Sequence, residues 1–269
     1  GGITDDRYIT RPEETDGMNS NFTTNDIPVH LYSSWNRNEI YDVFFTQGYN
    51  LGFYREKLVA DSSGVVKDST ENEFVRVARI SHTADIKYHE HEFINHRQEA
   101  NYYADNFLPY DSTDLATSLE VKNRIALSLC EGFSRYAFAD ITAFASYTYR
   151  RYTLPDITPE NIEFRKRYNE HILSVGGSIT SNHGKHLKYD VKGETSLIGE
   201  ELGTFSIDGN VQFDFKLWKR DMRLEANAFI KNNLPSFYYR HYHSEHFWWD
   251  NDFSKEFRTR IEGVFEIPS

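Results

Sequence analysis

Three histidines and a glutamate crowd one short stretch: His241, His243, Glu245 and His246. Imidazole and carboxylate groups are ligands for a borderline cation such as zinc, and His241 and His243 would share one face of a strand. The plainer reading is a strand end rich in amphipathic side chains near a membrane boundary. His89, Glu90, His91 and Glu92 form a second cluster with the same two readings. Asp250 and Asp252 offer hard oxygen ligands suited to calcium. The segment lacks the Gly and the distant Glu of a calcium loop, so an acidic loop is the simpler assignment. The stretch from Gly177 to Gly184 and Lys185 has the wrong spacing for a phosphate loop, and no helical pattern follows it. Asn21-Phe22-Thr23 fits a glycosylation acceptor, a pattern common by chance. There is no GxSxG, and no Ser, His and Asp set is placed for nucleophilic catalysis. The residues therefore predict no catalytic group, no metal site and no cofactor, and a protein that is not an enzyme.

The elements that carry these residues are strands. Phe, Tyr and Trp number 20, 18 and 4 against 7 Pro, a composition suited to pleated surfaces. Residues 205–217 read FSIDGNVQFDFKL. Phe205, Ile207, Gly209, Val211, Phe213, Phe215 and Leu217 fall on one face, and Ser206, Asp208, Asn210, Gln212, Asp214 and Lys216 on the other. A helix would mix the two sets. The same alternation recurs at 41–53, 115–129, 187–197, 222–230, where Phe229 is out of pattern, and 256–267. Weaker versions occupy 73–90, 136–152 and 170–181. About nine strands result, several of them longer than the 5–6 residues usual in soluble domains. A tilted membrane strand needs about 9–11 residues.

The connections alternate as well. Short links are expected at 131–135, 181–185 and 218–221, and long ones at 91–114, 154–167 and 232–252. Starting from the first short turn, each group falls on one side, as in outer-membrane barrels. The links 199–203, short on the long side, and 55–72, long on the short side, are exceptions. The fold class expected is all-β: an antiparallel up-and-down meander of about nine long strands, part of a transmembrane β-barrel. It forms one domain over 1–269, with 1–38 mainly a polar external loop and 39–269 the barrel strands. A soluble sandwich, which also has one dry and one wet face, is the competing architecture.

In a barrel the polar face lines a lumen, because lipid offers backbone groups no partners and the sheet must close. Lys188, Asp190, Lys192, Glu194, Asp208, Asn210, Gln212, Asp214, Arg258, Arg260 and Glu262 are then lumen-lining. Tyr238, Tyr239, Tyr242, Phe247, Trp248 and Trp249, with Phe237, make the densest aromatic run. It reads as an external aromatic rim, either a girdle or a sugar-stacking platform. The net charge of −11 argues against a nucleic-acid partner. The single Cys130 cannot form an internal disulfide. Mean hydropathy is −0.67 and no stretch is long and apolar enough for a membrane helix, which leaves a barrel open.

The segments GGITDD at 1–6, FFTQGYNLGFYRE at 44–56, LSLCEGF at 127–133, YRRYTLPD at 149–156 and PSFYYRHYHSEHFWWDNDFSKEFRTR at 235–260 carry a further likeness. With them the chain resembles the putative porin family of Bacteroidota outer membranes. The resemblance runs from first residue to last, is weaker at 55–72 and 92–112, and is most specific in the long aromatic segment. It implies an outer-membrane location, partners that are membrane lipid and small polar solutes, and passive diffusion. It implies no catalytic residues. Family members are considerably longer, so the chain is expected to be a middle portion of a barrel, and an odd strand count would leave it an open curved sheet with two unpaired edges. A non-conducting binding or anchoring barrel and a soluble all-β carbohydrate-binding domain are the alternative functions.

Overall fold

A computed structural model describes residues 34–60, 66–96, 103, 105–108, 113–132, 138–182, 184, 186–217 and 220–267. Its strands are β1 (Ser34–Ala60), β2 (Val66–Asn95), β3 (Thr113–Leu129), β4 (Asp140–Ile157), β5 (Glu163–Ser181), β6 (Leu187–Ile198), β7 (Phe205–Leu217) and β8 (Arg220–Asn233). A single helical turn, α1 (Phe237–Arg240), follows, then the short strands β9 (His241–His243) and β10 (Trp248–Asp250), and finally β11 (Glu256–Glu266). The long strands form one antiparallel sheet in the order β1 to β8 and then β11. This is the nine-stranded meander that the alternation predicts. β1 and β11 end the order and do not pair with each other. No described helix is long and apolar enough to cross a membrane.

The registers carry the two faces unbroken from strand to strand. Residues directly opposite across an antiparallel pair share a face. Lys192 lies opposite Asp208, Asp208 opposite Phe229, and Phe229 opposite Arg260. Phe229 therefore does not break the pattern by slipping. It is an aromatic on the polar face, with Lys231 Nζ 4.9 Å above its ring.

Burial on the two faces shows which way the sheet bends. Ser146 and Thr148, on the polar face of β4, are 2% and 5% exposed. Ile125 and Ile261, on the apolar face, are 62% and 82% exposed. Ser146 donates to Glu194 of β6 at 3.3 Å across β5, so longer side chains of the same face close over these small ones. The ion pair Arg124–Glu194, at 2.9 Å, joins β3 to β6 across the two strands between. Neighbouring strands lie about 4.8 Å apart, so two side chains span that gap only over a concave surface. The polar face is therefore concave and the apolar face convex.

Strands reach further than the sequence pattern indicates. Ala60 pairs with Val66, so the expected long link at 55–72 shrinks to 61–65. This removes one exception to the short-turn side. β4 runs to Ile157 and β5 starts at Glu163, so the expected long link at 154–167 is mostly strand. The link 199–204 is tight, as expected, with Gly199 at φ +97 and Gly203 at φ +75. A Cβ at Gly199 would lie 1.5 Å from the His171 carbonyl oxygen, so only glycine fits there. The remaining long links on that side are 96–112 and 234–255. β1 begins at Ser34, inside the segment expected as loop, and residues 1–33, including the acceptor pattern at Asn21, lie outside the described residues.

Among the described residues no second layer covers the convex face. A buried apolar cluster, Ala116, Leu154 and Phe237 with Tyr152, Tyr168 and Tyr238 against it, lies on the concave side.

Candidate functional site

The concave face is a field of paired charges. All eleven residues expected to line a lumen lie on it, on β6, β7 and β11. Asp208 pairs with Lys231 at 2.7 Å, and Asp214 with Arg223 at 2.8 Å. The Gln212 amide donates to Asp214 at 2.8 Å, and the Asn210 amide donates to Asn227. The Thr180 hydroxyl donates to Asp190 at 2.5 Å. Glu194 takes Arg124 at 2.9 Å, with Lys192 Nζ at 3.9 Å. Arg258 pairs with Glu256 and Arg260 with Glu262 along β11.

The densest part of the face was not singled out by the alternation. On β3, β4 and β5, Glu120, Arg150 and Glu170 stand in one row, since Glu120 pairs with Arg150 and Arg150 with Glu170. Arg150 donates to Glu120 at 2.5 Å and to Glu201, on the tight 199–204 turn, at 2.6 Å. Glu170 is 3.7 Å from Arg150 and accepts from Arg240 of α1 at 2.5 Å. Beside this cluster Phe144 lies across Gly176, where a Cβ would sit 2.4 Å from the ring. The Arg124 guanidinium lies 4.2 Å from the centre of the Phe144 ring. Period-2 reading places Glu120 and Arg150 on the polar face, but their convergence with Glu201 and Arg240 depends on two links whose paths no periodicity encodes.

The link 234–255 folds inward over the concave face. Phe237 stacks on Tyr152 at 3.8 Å between centroids and meets Tyr168 edge-on at 5.2 Å. His243 Nδ1 bonds the Pro155 carbonyl at 3.1 Å, and the backbone N–H of Glu245 donates to Asp114 at 2.6 Å. The N–H of Phe107 donates to the Glu245 carbonyl at 2.7 Å, tying the 96–112 link to the same lid. Between α1 and β3–β5 remains a cavity of about 450 Å³, lined by Glu120, Arg150, Tyr152, Glu170, Glu201 and Arg240 among others.

This placement distributes the expected rim aromatics unevenly. Tyr238 packs edge-on against Tyr152, Tyr242 stacks on Trp249 at 4.8 Å, and Trp248 stacks on His243 at 3.8 Å. The Trp249 indole N–H donates to the Tyr238 carbonyl at 3.1 Å. Tyr239 and Phe247 are exposed. The histidines at 241 and 243 converge on one acid: His241 Nδ1 lies 2.6 Å and His243 Nε2 3.1 Å from the Asp250 carboxylate. Burial would raise the Asp250 carboxyl, but the two histidine hydrogen bonds outweigh it and hold the group below its usual range. His246 instead stacks on Tyr103 at 3.8 Å. His89 and His91 point from β2 to the concave face, opposite Ser118 and Ala116. Among the described residues no group of three or more His, Cys, Asp or Glu is arranged to hold a metal ion.

The arrangement is an array of paired charges and stacked rings. What it offers is a concave, charged, water-accepting surface narrowed by an inward segment, behind a convex apolar one. Comparison with curated proteins and with solved structures finds no match. A family profile described as putative porin matches residues 1–269. By that match over its whole length, the chain belongs to the putative porin family.

Proposed function

We propose that the chain forms part of an outer-membrane diffusion pore, passing small polar solutes passively along its concave face without cofactor or catalysis. The observation that carries this reading is the division of the nine-stranded sheet into a convex apolar face, uncovered by any of the described residues, and a concave charged one. Phe45, Tyr49, Ile125, Ile141, Ile207, Phe213 and Ile261 are all exposed on the convex face, and soluble proteins rarely leave large apolar surfaces uncovered. Membrane lipid is the partner that suits this face. Paired charges on the concave side hold water and polar solutes while leaving few bare charges to trap them.

On this reading the segment 234–255 sets the narrowest point. Solutes pass between α1 and the row Glu120, Arg150 and Glu170, or beside it, and size exclusion there follows from how firmly the segment is held. The same inward fold favours a second reading, in which the segment closes the lumen and the barrel binds or anchors without conducting. Single-channel recording of the whole protein in a planar bilayer separates the two. The pore reading predicts discrete, weakly voltage-dependent conductance steps. A stably inserted barrel with no steps contradicts it and leaves the closed reading standing.

A further inference from the structure

Three polar side chains interrupt the middle of the convex face on neighbouring strands. Gln47 of β1 is flanked along its strand by Phe45 and Val43 on one side and Tyr49 and Leu51 on the other. His82 of β2 lies between Ala84 and Ile86 and Ile80 and Ala78. Asn123 of β3 lies between Val121 and Leu119 and Ile125 and Leu127. The registers set Gln47 opposite His82, and His82 opposite Ile125, one step along β3 from Asn123 on the same face. The three touch: Gln47 Nε2 is 3.4 Å from His82 Nδ1, and His82 Nε2 is 3.3 Å from Asn123 Oδ1. They form one connected stripe across three strands.

Among the described residues the ladder through Gln47 and His82 continues on the convex face as Ile125, Ala145 and Val175 of β3, β4 and β5, then Thr195, Phe205 and Asn232 of β6, β7 and β8. Four positions further along β1, the ladder through Leu51 carries no polar side chain: Ala78, Leu129, Ile141, Ile179, Val191, Gly209, Ala228 and Ile261 follow it to β11. Tyr147, opposite Asn123 on β4, bonds His171 of β5 at 2.7 Å, and Tyr149 donates to Asn169 at 2.9 Å, so these polar groups satisfy one another, with Arg151 beyond them on the loop side. Gln47, His82 and Asn123 have apolar neighbours on both sides. Polar groups facing hydrocarbon find no partner in lipid, so such positions inside a membrane normally meet protein.

We propose that the convex face of β1–β3 is the contact between two copies of this chain in the membrane, centred on Gln47, His82 and Asn123. The proposal rests on the membrane reading above. The stripe suits a second copy of itself better than a charged partner. It is uncharged when His82 is neutral, and with both imidazole nitrogens used inside the copy, Gln47 keeps its amide oxygen as an acceptor and Asn123 its amide NH2 as a donor. Such a set is complementary to itself under the twofold symmetry of an isologous contact, where the same patch is used on both sides. The mutual contacts within one copy are long, at 3.3 and 3.4 Å, and occupy only one end of each amide. The flanking Phe45, Ala84, Val121 and Ile125 supply the apolar surround of the contact.

The test uses the whole protein in its own membrane. His82→Cys in a Cys130→Ser background is treated with a short bifunctional thiol reagent, beside Val211→Cys, on the convex face of β7, as control. A band of twice the chain mass from His82→Cys and none from Val211→Cys supports the contact. The triple variant Gln47→Leu, His82→Leu and Asn123→Leu, extracted in mild detergent, should then run as a monomer where the wild type runs as an oligomer. A cross-link to a different protein, no cross-link from either site, or an unchanged oligomer in the triple variant overturns the proposal. Recovery of the wild type outside the membrane fraction overturns the membrane reading, and this inference with it.

Discussion

Replacing Arg240 with methionine removes one end of the bond that ties the inward segment to the wall. Arg240 Nη2 lies 2.5 Å from Glu170 Oε1, with the two side chains 13% and 6% exposed. Breaking a buried pair costs about 3–5 kcal/mol when the remaining charge has no other partner. Here Arg150 stays 3.7 Å from Glu170, but it is already shared with Glu120 and Glu201. The low end, about 3 kcal/mol, therefore applies. Each 1.4 kcal/mol is about tenfold in an equilibrium constant, so release of the segment becomes roughly a hundredfold more frequent. Stacking of Phe237 on Tyr152, worth about 0.5–1.5 kcal/mol, still favours docking. In a planar bilayer, Arg240→Met should show larger or noisier steps than the wild type while remaining inserted. Glu170→Gln should do the same, and the double variant should lose less than the sum of the two, by about 1 kcal/mol or more in segment release. Unchanged conductance in both single variants, or strict additivity in the double, refutes the idea that this pair holds the constriction.

Further outcomes follow from the same geometry. Phe213→Arg places a charge on the convex face beside Leu187 and Leu224 and should impair membrane assembly, by up to the about 2–4 kcal/mol of an arginine at mid-depth, whereas Asp214→Arg, one residue on and on the concave face, should assemble. Equal assembly of the two, read by heat-modified gel mobility, contradicts the assignment of faces. Gly176→Val should lower the unfolding midpoint by the equivalent of about 1–3 kcal/mol, since its Cβ meets the Phe144 ring and the Gly193 carbonyl at 2.4 and 2.3 Å. An unchanged midpoint would mean that the ring does not lie there. The hairpin β9–β10 should loosen in acid. The Asp250 carboxyl is held low by His241 and His243, so its contribution is complete above the usual value near 4 and is lost as pH falls through its lower folded value. Protease sensitivity of 241–250 should therefore rise in strong acid, and Asp250→Asn should abolish that dependence.

The sheet was legible because its physics is local. Residues 205–217 declare two faces within thirteen letters, and the structure keeps both with no slip. Phe229 and Phe144 look like errors in that pattern until their cationic neighbours, Lys231 and Arg124, are seen on the same face. The lengths of the links were harder. Residues 154–157 and 163–167 lack alternation, yet pair as strand because each has a neighbour already in register. The docking of the 234–255 segment was not legible. Arg240 reaches Glu170 across 70 positions, and Glu201 reaches Arg150 across 51. Such meetings depend on where a folded link comes to rest, and composition alone suggested only that 235–250 was aromatic and lay near an end.

The division of the sheet into a lipid face and a water face is most directly tested by a nitroxide label placed at each position from 207 to 214 in the membrane-inserted protein. Collision with dissolved oxygen reports lipid, and collision with a water-soluble nickel chelate reports the lumen. The account predicts alternation with period two, oxygen dominating at 207, 209, 211 and 213 and the chelate at 208, 210, 212 and 214. Uniform access of the chelate to both sets would contradict it, and so would the reverse phase.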